Sequence, residues 1–184
     1  MTGKNGWCVW ITGLPGSGKS VISEALLQKL KEHGIEAQVL SSDALRKVIT
    51  PNPTYSEKER DMVYDALALL AKHLTRNNIN IIIDATGNLR RYRDNTRKQI
   101  PKFIEVYLEC TLETCVQRET SRKNMHQAPT RIYEKGLSGT APTVPGLGAS
   151  YEPPLHPEIT VNSEKLSPQK CAEKILATIL EHFY

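Results

Sequence analysis

The sequence of 184 residues has no apolar run that approaches the length of a membrane-spanning helix. Its start, Met-Thr-Gly-Lys-Asn-Gly, also lacks the hydrophobic region of a secretory signal peptide. It contains only four cysteines, and their spacing matches no zinc or redox pattern. These absences predict a cytoplasmic protein without a membrane partner and without a cysteine-based metal site.

A strong excess of charge of one sign is absent as well. The 24 lysines and arginines and the 20 aspartates and glutamates leave a formal net charge of +4. This balance suits an anionic substrate, but it falls short of the basicity typical of nucleic-acid binding, so no nucleic-acid partner is expected. Apolar residues make up 39% of the chain, enough for a full core. We therefore predict one domain over residues 1–184.

A phosphate-binding motif stands near the start of the chain, where residues 13–20 read Gly-Leu-Pro-Gly-Ser-Gly-Lys-Ser. The apolar run before it predicts a strand, and the amphipathic stretch after it predicts a helix. The glycines allow successive backbone N–H groups to face phosphate oxygens. Lys19 carries charge to the β- and γ-phosphates, and the Ser20 hydroxyl is a Mg²⁺ ligand. The predicted ATP-binding residues are Gly13, Leu14, Pro15, Gly16, Ser17, Gly18, Lys19 and Ser20.

Apolar runs alternate with helical patterns along the chain. Such alternation predicts a parallel sheet that is covered by helices on both faces. We therefore predict an α/β fold of the P-loop NTPase type, with three layers, a mostly parallel five-stranded sheet and a lid segment. The predicted strands are 6–12, 37–41, 80–85, 103–109 and 159–162. The predicted helices are 21–33, 58–76, 92–99, 112–120 and 167–182. Cys8 and Cys110 lie in the strand-like runs and are expected in the core.

The stretch of about 120–157 interrupts this alternation. It is rich in glycine and proline and is too long for a simple connection in a compact domain. One interpretation is a disordered surface insertion. The other is a lid, because a phosphotransferase must keep water away from the γ-phosphate. Its position between the last two predicted strands and its basic and aromatic residues favour the lid.

Asp43 and Arg46 follow the second predicted strand. Strand ends at the carboxyl edge of a parallel sheet point into the ligand crevice. A carboxylate there can take the proton of an acceptor hydroxyl, and an arginine one helical turn later can hold an anionic group. The alternative is that Asp43 only caps a short helix. With the phosphate loop nearby, we predict Asp43 and Lys19 as catalytic residues.

Asp84 follows three isoleucines in the third predicted strand, which is the form of a Walker B strand. It either holds Mg²⁺ through water or only fixes the neighbouring loop. The arginines that follow include Arg91 and Arg97, which we interpret as a solvated basic surface. Arg118 is a candidate partner of the donor nucleotide, through its phosphates or by stacking on the base.

Taken together, these residues resemble the adenylylsulfate kinase (APS kinase) family. The resemblance covers nearly the whole chain and is most specific, after the phosphate loop, at Tyr151-Glu152 with its flanking prolines. The other matching segments are 41–46, which ends in Asp43-Ala44-Leu45-Arg46; 55–60, Tyr-Ser-Glu-Lys-Glu-Arg; 103–106, Phe-Ile-Glu-Val; 112–115 with Arg118; and 132–136, Ile-Tyr-Glu-Lys-Gly.

The resemblance implies that the γ-phosphate of ATP is transferred to the 3′-hydroxyl of adenosine 5′-phosphosulfate. ATP then lies on residues 13–20 with Arg118 near it. The resemblance also implies that Arg46, Arg60 and Lys135 hold a small nucleotide acceptor, with its base against Tyr55. Members of the family are often homodimers, which implies a possible homodimer here.

The chain departs from the family on the acceptor side. Val144 stands where the family has a second aromatic that stacks on the base, and it joins the predicted acceptor-binding residues. Val63 and Asp65 replace an asparagine and an arginine, and Asp65 is expected to reverse the charge of the acceptor pocket. Gly87 replaces a serine that is sometimes described as a phosphorylated intermediate of the family's reaction. Because glycine has no hydroxyl, the remaining route is direct in-line transfer from ATP to the acceptor. About nine extra residues fall within 120–130.

These departures leave other acceptors open. The segments around Asp43 and Asp84 also resemble polynucleotide 5′-kinases, and a CDP-linked acceptor suits a frame of this kind with an altered lid. A nucleotide-dependent switch without turnover is a further alternative. The lid stretch and Asp43 argue against a switch, because a switch needs no acceptor base.

Overall fold

The computed structural model describes residues 5–121, 131–138 and 143–184. Within these ranges the strands are β1 (Cys8–Thr12), β2 (Gln38–Ser41), β3 (Ile81–Asp84), β4 (Phe103–Glu109) and β5 (Ile159–Asn162). The helices are α1 (Lys19–Glu32), α2 (Ser42–Ile49), α3 (Glu57–Arg76), α4 (Arg90–Gln99), α5 (Leu112–Thr120), α6 (Ile132–Leu137) and α7 (Pro168–Phe183). The described helices include none with the length and apolar character of a membrane span.

The five strands form one parallel sheet in the order β2-β3-β1-β4-β5. The predicted α/β fold is confirmed. The central strand β1 is buried along its whole length, as expected for a parallel strand that is covered on both faces. Because all strands run in one direction, their carboxyl ends meet at the same edge, where the phosphate loop begins.

The two faces of the sheet have separate cores. Val9 and Ile11 of β1 pack in the core on the side of α1 and α7, whereas Cys8 and Trp10 pack in the core on the side of α3 and α4. This division follows from the strand repeat of two residues, which sends neighbouring side chains to opposite faces. Cys8 and Cys110 are both buried, as the sequence predicts.

Two short helices, α2 and α6, were not among the predicted elements. The α2 helix has eight residues and α6 has six, which is too short for a clear hydrophobic repeat. The α1 helix also begins two residues before its predicted start, because the last residues of the phosphate loop form its first turn after Gly18. The remaining boundaries differ from the prediction by at most two residues.

The predicted lid stretch is described in two pieces, residues 131–138 and 143–157. Both pack against the rest of the domain. The side chains of Tyr133 and Val144 are buried in a small apolar cluster with Leu14 and Cys115. This packing differs from that of a loose surface insertion. The extra residues within 120–130 lie almost entirely outside the described residues.

Candidate active site

The phosphate loop connects β1 to α1 and depends on glycine at two positions of left-handed backbone. Gly16 has φ +83° and Gly18 has φ +97°, values that disfavour any residue with a Cβ. A Cβ on Gly16 would also lie 2.3 Å from the backbone oxygen of Cys115 in α5. The loop is therefore pressed against α5, and its shape requires glycine for two separate reasons.

Lys19 and Ser20 open α1 directly behind the loop. The Lys19 ammonium donates hydrogen bonds of 3.0 Å to the carbonyl oxygens of both Gly13 and Leu14. Its charge thus lies across the loop, next to the N-terminus of α1, where the helix dipole adds positive potential. Ser17 is fully buried, and its N–H donates to the Leu14 oxygen. These features suit the binding of a phosphate chain.

Asp84 and Asp43 lie at neighbouring strand ends beside this loop. In the sheet register, Asp84 pairs with Ile11 of β1 on one side and with Ser41 of β2 on the other. Asp84 is buried and Asp43 is half-buried in the first turn of α2. The N-cap of α2 is Ser41, whose hydroxyl accepts from the N–H of Ala44 at 3.4 Å. The alternative that Asp43 is the cap is therefore wrong.

Three predicted acceptor residues, Arg46, Tyr55 and Arg60, come together next to Asp43. Arg46 forms a buried ion pair of 2.7 Å with Glu59, and its guanidinium lies 5.0 Å from the centroid of the Tyr55 ring. The Arg60 Nε donates to the Tyr55 carbonyl oxygen at 3.1 Å. The structure therefore brings these three side chains together, and their predicted contact with the acceptor stays a prediction.

Tyr55 itself has φ +55°, a rare value for a bulky residue. The conformation is held from both sides, because its N–H donates to the Glu59 carboxylate and its carbonyl accepts from Arg60. Burial raises the pKa of the Tyr55 hydroxyl. Backbone of this kind is often retained at binding sites, where surrounding contacts compensate for the strain.

Glu59 is a residue of this site that the sequence reasoning missed. Its carboxylate accepts from the N–H and hydroxyl of Thr54, from the N–H of Tyr55 and from Arg46. Burial alone raises the pKa of Glu59, but the hydrogen bonds from Thr54 and the charge of Arg46 outweigh it and lower the pKa overall. The signal available in the sequence was the spacing Ser56-x-x-Glu59 of a capping box.

The two arginines of the site differ in how their charges are balanced. Arg46 is paired with a carboxylate, whereas Arg60 donates to three uncharged oxygens, those of the Tyr55 carbonyl, the Asn88 side chain and the Thr143 carbonyl. In the described part of the chain no carboxylate forms an ion pair with Arg60. Burial lowers the pKa of its guanidinium. The charge of Arg60 is therefore not balanced by a carboxylate among the described residues, and its predicted contact with an anionic acceptor stays a prediction.

Arg118 links α5 to the turn after β5. Its guanidinium donates to the Ser163 carbonyl at 2.9 Å and to the Ser163 hydroxyl at 3.5 Å. This contact lies one helical turn beyond Cys115, the residue against which the phosphate loop packs. The arrangement is compatible with the predicted contact to the donor nucleotide, which stays a prediction.

The described pieces of the predicted lid stretch contact the phosphate loop and the end of β1. The Tyr133 hydroxyl donates to the Pro15 carbonyl at 2.8 Å, and the Tyr151 hydroxyl is hydrogen-bonded to the Thr12 hydroxyl at 3.1 Å. Val144 lies in the apolar cluster beside Leu14. Lys135 is exposed on α6. The roles predicted for Val144 and Lys135 at the acceptor stay predictions.

Two arginines of α4, Arg93 and Arg97, bind the chain at residues 152–158, and this network was not predicted from the sequence. Arg93 is 1% exposed and donates to Glu105 of β4, to the Gly87 carbonyl and to the Glu152 carbonyl. Arg97 forms an ion pair with Glu158 at 2.5 Å. The interpretation of Arg97 as a solvated surface residue is therefore only partly correct, because its side chain is partly exposed but its guanidinium is bound by Glu158.

The predictions for Arg91 and for Asp65 have different outcomes. Arg91 is exposed and pairs with Glu57 and Asp61 at 2.7 Å each, as expected for a surface arginine. Asp65 is also exposed and accepts from Asn95 of α4. The expected charge reversal of the acceptor pocket by Asp65 is therefore wrong, because the side chain lies on the outer face of α3.

Gly87 is a further position that requires glycine. It has φ +50°, and a Cβ there would lie 2.8 Å from the Trp10 ring. Its N–H donates to the Tyr64 hydroxyl, and its carbonyl accepts from Arg93. A serine at this position would be strained and crowded, which explains physically why the chain has no hydroxyl there.

A model of the family described as adenylylsulphate kinase matches residues 5–162. The chain belongs to the adenylylsulphate kinase family. A probable adenylyl-sulfate kinase of Pyrococcus abyssi is 32% identical over 97% of this chain and 98% of its own length. A probable adenylyl-sulfate kinase of Archaeoglobus fulgidus is 36% identical over 85% of this chain and 96% of its own.

Solved adenylylsulphate kinase structures agree with this assignment. The structure of the Mycobacterium tuberculosis APS kinase CysC, in complex with AMPPNP and APS, superposes with a TM-score of 0.85 at 27% identity. The superposition covers 97% of this chain and 99% of that one. The similarity in fold therefore extends over nearly the whole length of both chains.

Proposed function

We propose that this protein transfers the γ-phosphate of ATP to the 3′-hydroxyl of adenosine 5′-phosphosulfate. The observation that carries the proposal is the shared edge of the sheet. There Asp84 lies in register between the start of the phosphate loop and the start of α2, which bears Asp43 and Arg46. The proposed donor and acceptor residues thus lie at one edge of the sheet, where ligands of open α/β sheets bind. The relatives of this chain are named for this reaction.

The transfer is an in-line displacement. The acceptor oxygen forms a bond to the γ-phosphorus while the bond to the oxygen bridging the β- and γ-phosphates breaks, so that ADP leaves. The Asp43 carboxylate takes the hydroxyl proton. Lys19 and the N–H groups of the loop stabilise the charge on the phosphate oxygens. Gly87 has no hydroxyl to phosphorylate, which is consistent with direct transfer.

Mg²⁺ is the proposed cofactor, with Ser20 and Asp84 as the groups that hold it. Both offer hard oxygen atoms, and Asp84 stands beside the loop at the end of β3. No group of three or more His, Cys, Asp and Glu side chains suited to a metal occurs among the described residues. This fits an ion held mainly by water and phosphate oxygens, and when bound it would neutralise part of the phosphate charge. The alternative is that Asp84 binds no metal and only holds the neighbouring loop in place.

The acceptor nucleotide is proposed to lie against Arg46, Tyr55 and Arg60. The Tyr55 ring is only half-buried and has the Arg46 guanidinium 5.0 Å from its centroid, and an aromatic ring of this kind can stack on a nucleotide base. Arg60 supplies charge that its own hydrogen bonds do not neutralise. A phosphosulfate group matches this charge. A cytoplasmic location and a homodimeric assembly stay predictions.

The test is a screen of ADP release with ATP and Mg²⁺ against adenosine 5′-phosphosulfate, CDP-linked compounds and oligonucleotide 5′-ends. We expect strict preference for adenosine 5′-phosphosulfate and loss of the signal in Lys19→Ala. Preference for either of the other acceptors would overturn the assignment of the acceptor but not the assignment of the protein as a kinase. Slow hydrolysis of ATP that no acceptor stimulates would favour the switch instead.

A further inference from the structure

Among the described residues of the lid stretch, Tyr133 is fully buried and contacts the phosphate loop. Its exposed fraction is 0%, and its ring packs in the cluster of Leu14, Cys115 and Val144. Its hydroxyl donates a hydrogen bond of 2.8 Å to the carbonyl oxygen of Pro15. Pro15 is the residue before Gly16, so this contact reaches the centre of the loop.

The helix that bears Tyr133 is itself held at its start. Glu119, at the end of α5, is 3% exposed, and its carboxylate accepts from the N–H of Ile132 at 3.1 Å. The Glu119 carboxylate thus satisfies the N–H of Ile132, which has no partner within the helix because it lies in the first turn. The α6 helix therefore cannot slide along α5 without losing this contact, and the Tyr133 hydroxyl is kept at a defined place.

The geometry of the peptide bond gives this contact a consequence for phosphate binding. The carbonyl and the N–H of one trans peptide lie in a plane and point in opposite directions, and the chain has no cis peptide bond among its described residues. The Pro15 carbonyl that points toward Tyr133 thus aims the Gly16 N–H away from α6. We propose that Tyr133 is a positioning residue, which orients the Pro15–Gly16 peptide so that its N–H faces the donor phosphates.

Without this hydrogen bond the peptide could rotate, because a glycine follows it. Gly16 already has a positive φ and tolerates several backbone conformations. A rotated peptide would present the carbonyl oxygen to the phosphates, where it repels them. Donor binding and the position of the lid helix therefore depend on each other through one side chain.

The variant Tyr133→Phe tests the inference, because it keeps the ring in the cluster and removes only the hydroxyl. Isothermal titration should show ADP-Mg²⁺ binding weakened by about threefold to tenfold. We expect the affinity for adenosine 5′-phosphosulfate to stay within about twofold. In ¹⁵N spectra the Gly16 amide should shift in the variant before ADP is added.

The matched control is Tyr92→Phe, which also removes only a hydroxyl, one that donates to Asp61 at 2.8 Å and accepts from Arg91 at 3.3 Å on the surface of α3 and α4. It should leave ADP binding and the Gly16 amide unchanged. A second variant, Glu119→Ala, loosens the start of α6 and should weaken ADP binding in the same direction.

Unchanged ADP affinity in Tyr133→Phe, or an unshifted Gly16 amide, would overturn the inference. So would an equal loss of affinity for ADP and for the acceptor, since that indicates general loosening. ADP binding does not depend on the identity of the acceptor. The outcome of this test is therefore independent of whether the proposed acceptor is correct.

Discussion

The proposed donor half and the proposed acceptor half of the site, called the donor half and the acceptor half below, differ in the groups that form them. The donor half is made of backbone, since Lys19 and Tyr133 both contact loop carbonyls and the glycines determine the shape of the loop. The acceptor half is made of charged and aromatic side chains, above all the buried pair of Arg46 and Glu59. A backbone site is specific for phosphate in general, whereas a side-chain site can be altered for each acceptor.

The largest effect is expected where the two halves meet, at Asp43. Replacement by alanine removes the group that takes the hydroxyl proton, and kcat should fall by about 10²- to 10⁴-fold. ADP release with saturating substrates measures it. Asp65→Ala is the matched control, because Asp65 is exposed on α3, and it should keep its activity. Turnover like that of the wild type in Asp43→Ala would disprove the assignment of the base.

A change in the backbone should disable the donor half alone. In Gly16→Ala the new Cβ meets the Cys115 oxygen at 2.3 Å, and a displacement of the loop by about 1 Å can cost on the order of 100-fold in activity. We expect the loss in the KM for ATP. Gly34→Ala is the control, because Gly34 also has a positive φ but has no atom within 4 Å of its Cβ position. Equal losses in both variants would refute the steric account.

A change in charge should disable the acceptor half alone. Arg60→Gln removes the cation that is not neutralised by a carboxylate, and the KM for the acceptor should rise by about tenfold to hundredfold. The KM for ATP should stay nearly constant. Arg91→Gln removes a charge at the exposed pair with Glu57 and Asp61 and should change neither constant. A parallel rise of both KM values in Arg60→Gln would show that the two halves are not separate.

The smallest effect concerns the stability of the acceptor half. Glu59→Gln keeps hydrogen-bonding atoms but loses the charge opposite Arg46, so the free energy of unfolding should fall by about 1 to 2 kcal/mol. Urea denaturation measures it, with the exposed Glu57→Gln as a control that should change little.

The same variant has an expected dependence on pH. The pKa of Glu59 is lowered in the folded state, so its contribution is present above the pKa of an unfolded glutamate, about 4.3. The contribution is lost as the pH falls through the folded-state pKa. The difference between the wild type and Glu59→Gln should therefore vanish in acid. A difference that persists there would show that the charge of Glu59 is not its cause.

The comparison of the two halves also explains which parts of the molecule could be predicted. The phosphate loop and the strands were accessible because their signals lie within a few neighbouring residues. The ion-pair partners of the arginines could not be predicted in this way. Arg93 and Arg97 have similar surroundings in the sequence, yet Arg93 is fully buried against Glu105, whereas Arg97 is partly exposed and pairs with Glu158 as well as with Glu105. Nothing in the spacing of α4 determines which acid each will meet.

The sequence by itself determined the nucleotide loop, the parallel α/β order and the set of residues at the strand ends. Each of these follows from local backbone preferences and from the repeat of apolar side chains. Only the tertiary structure decided that Arg46 is neutralised and Arg60 is not, that Asp65 faces outward, and that Tyr133 reaches Pro15. These depend on distances between residues remote in the chain, and such distances exist only after the helices have packed on the sheet.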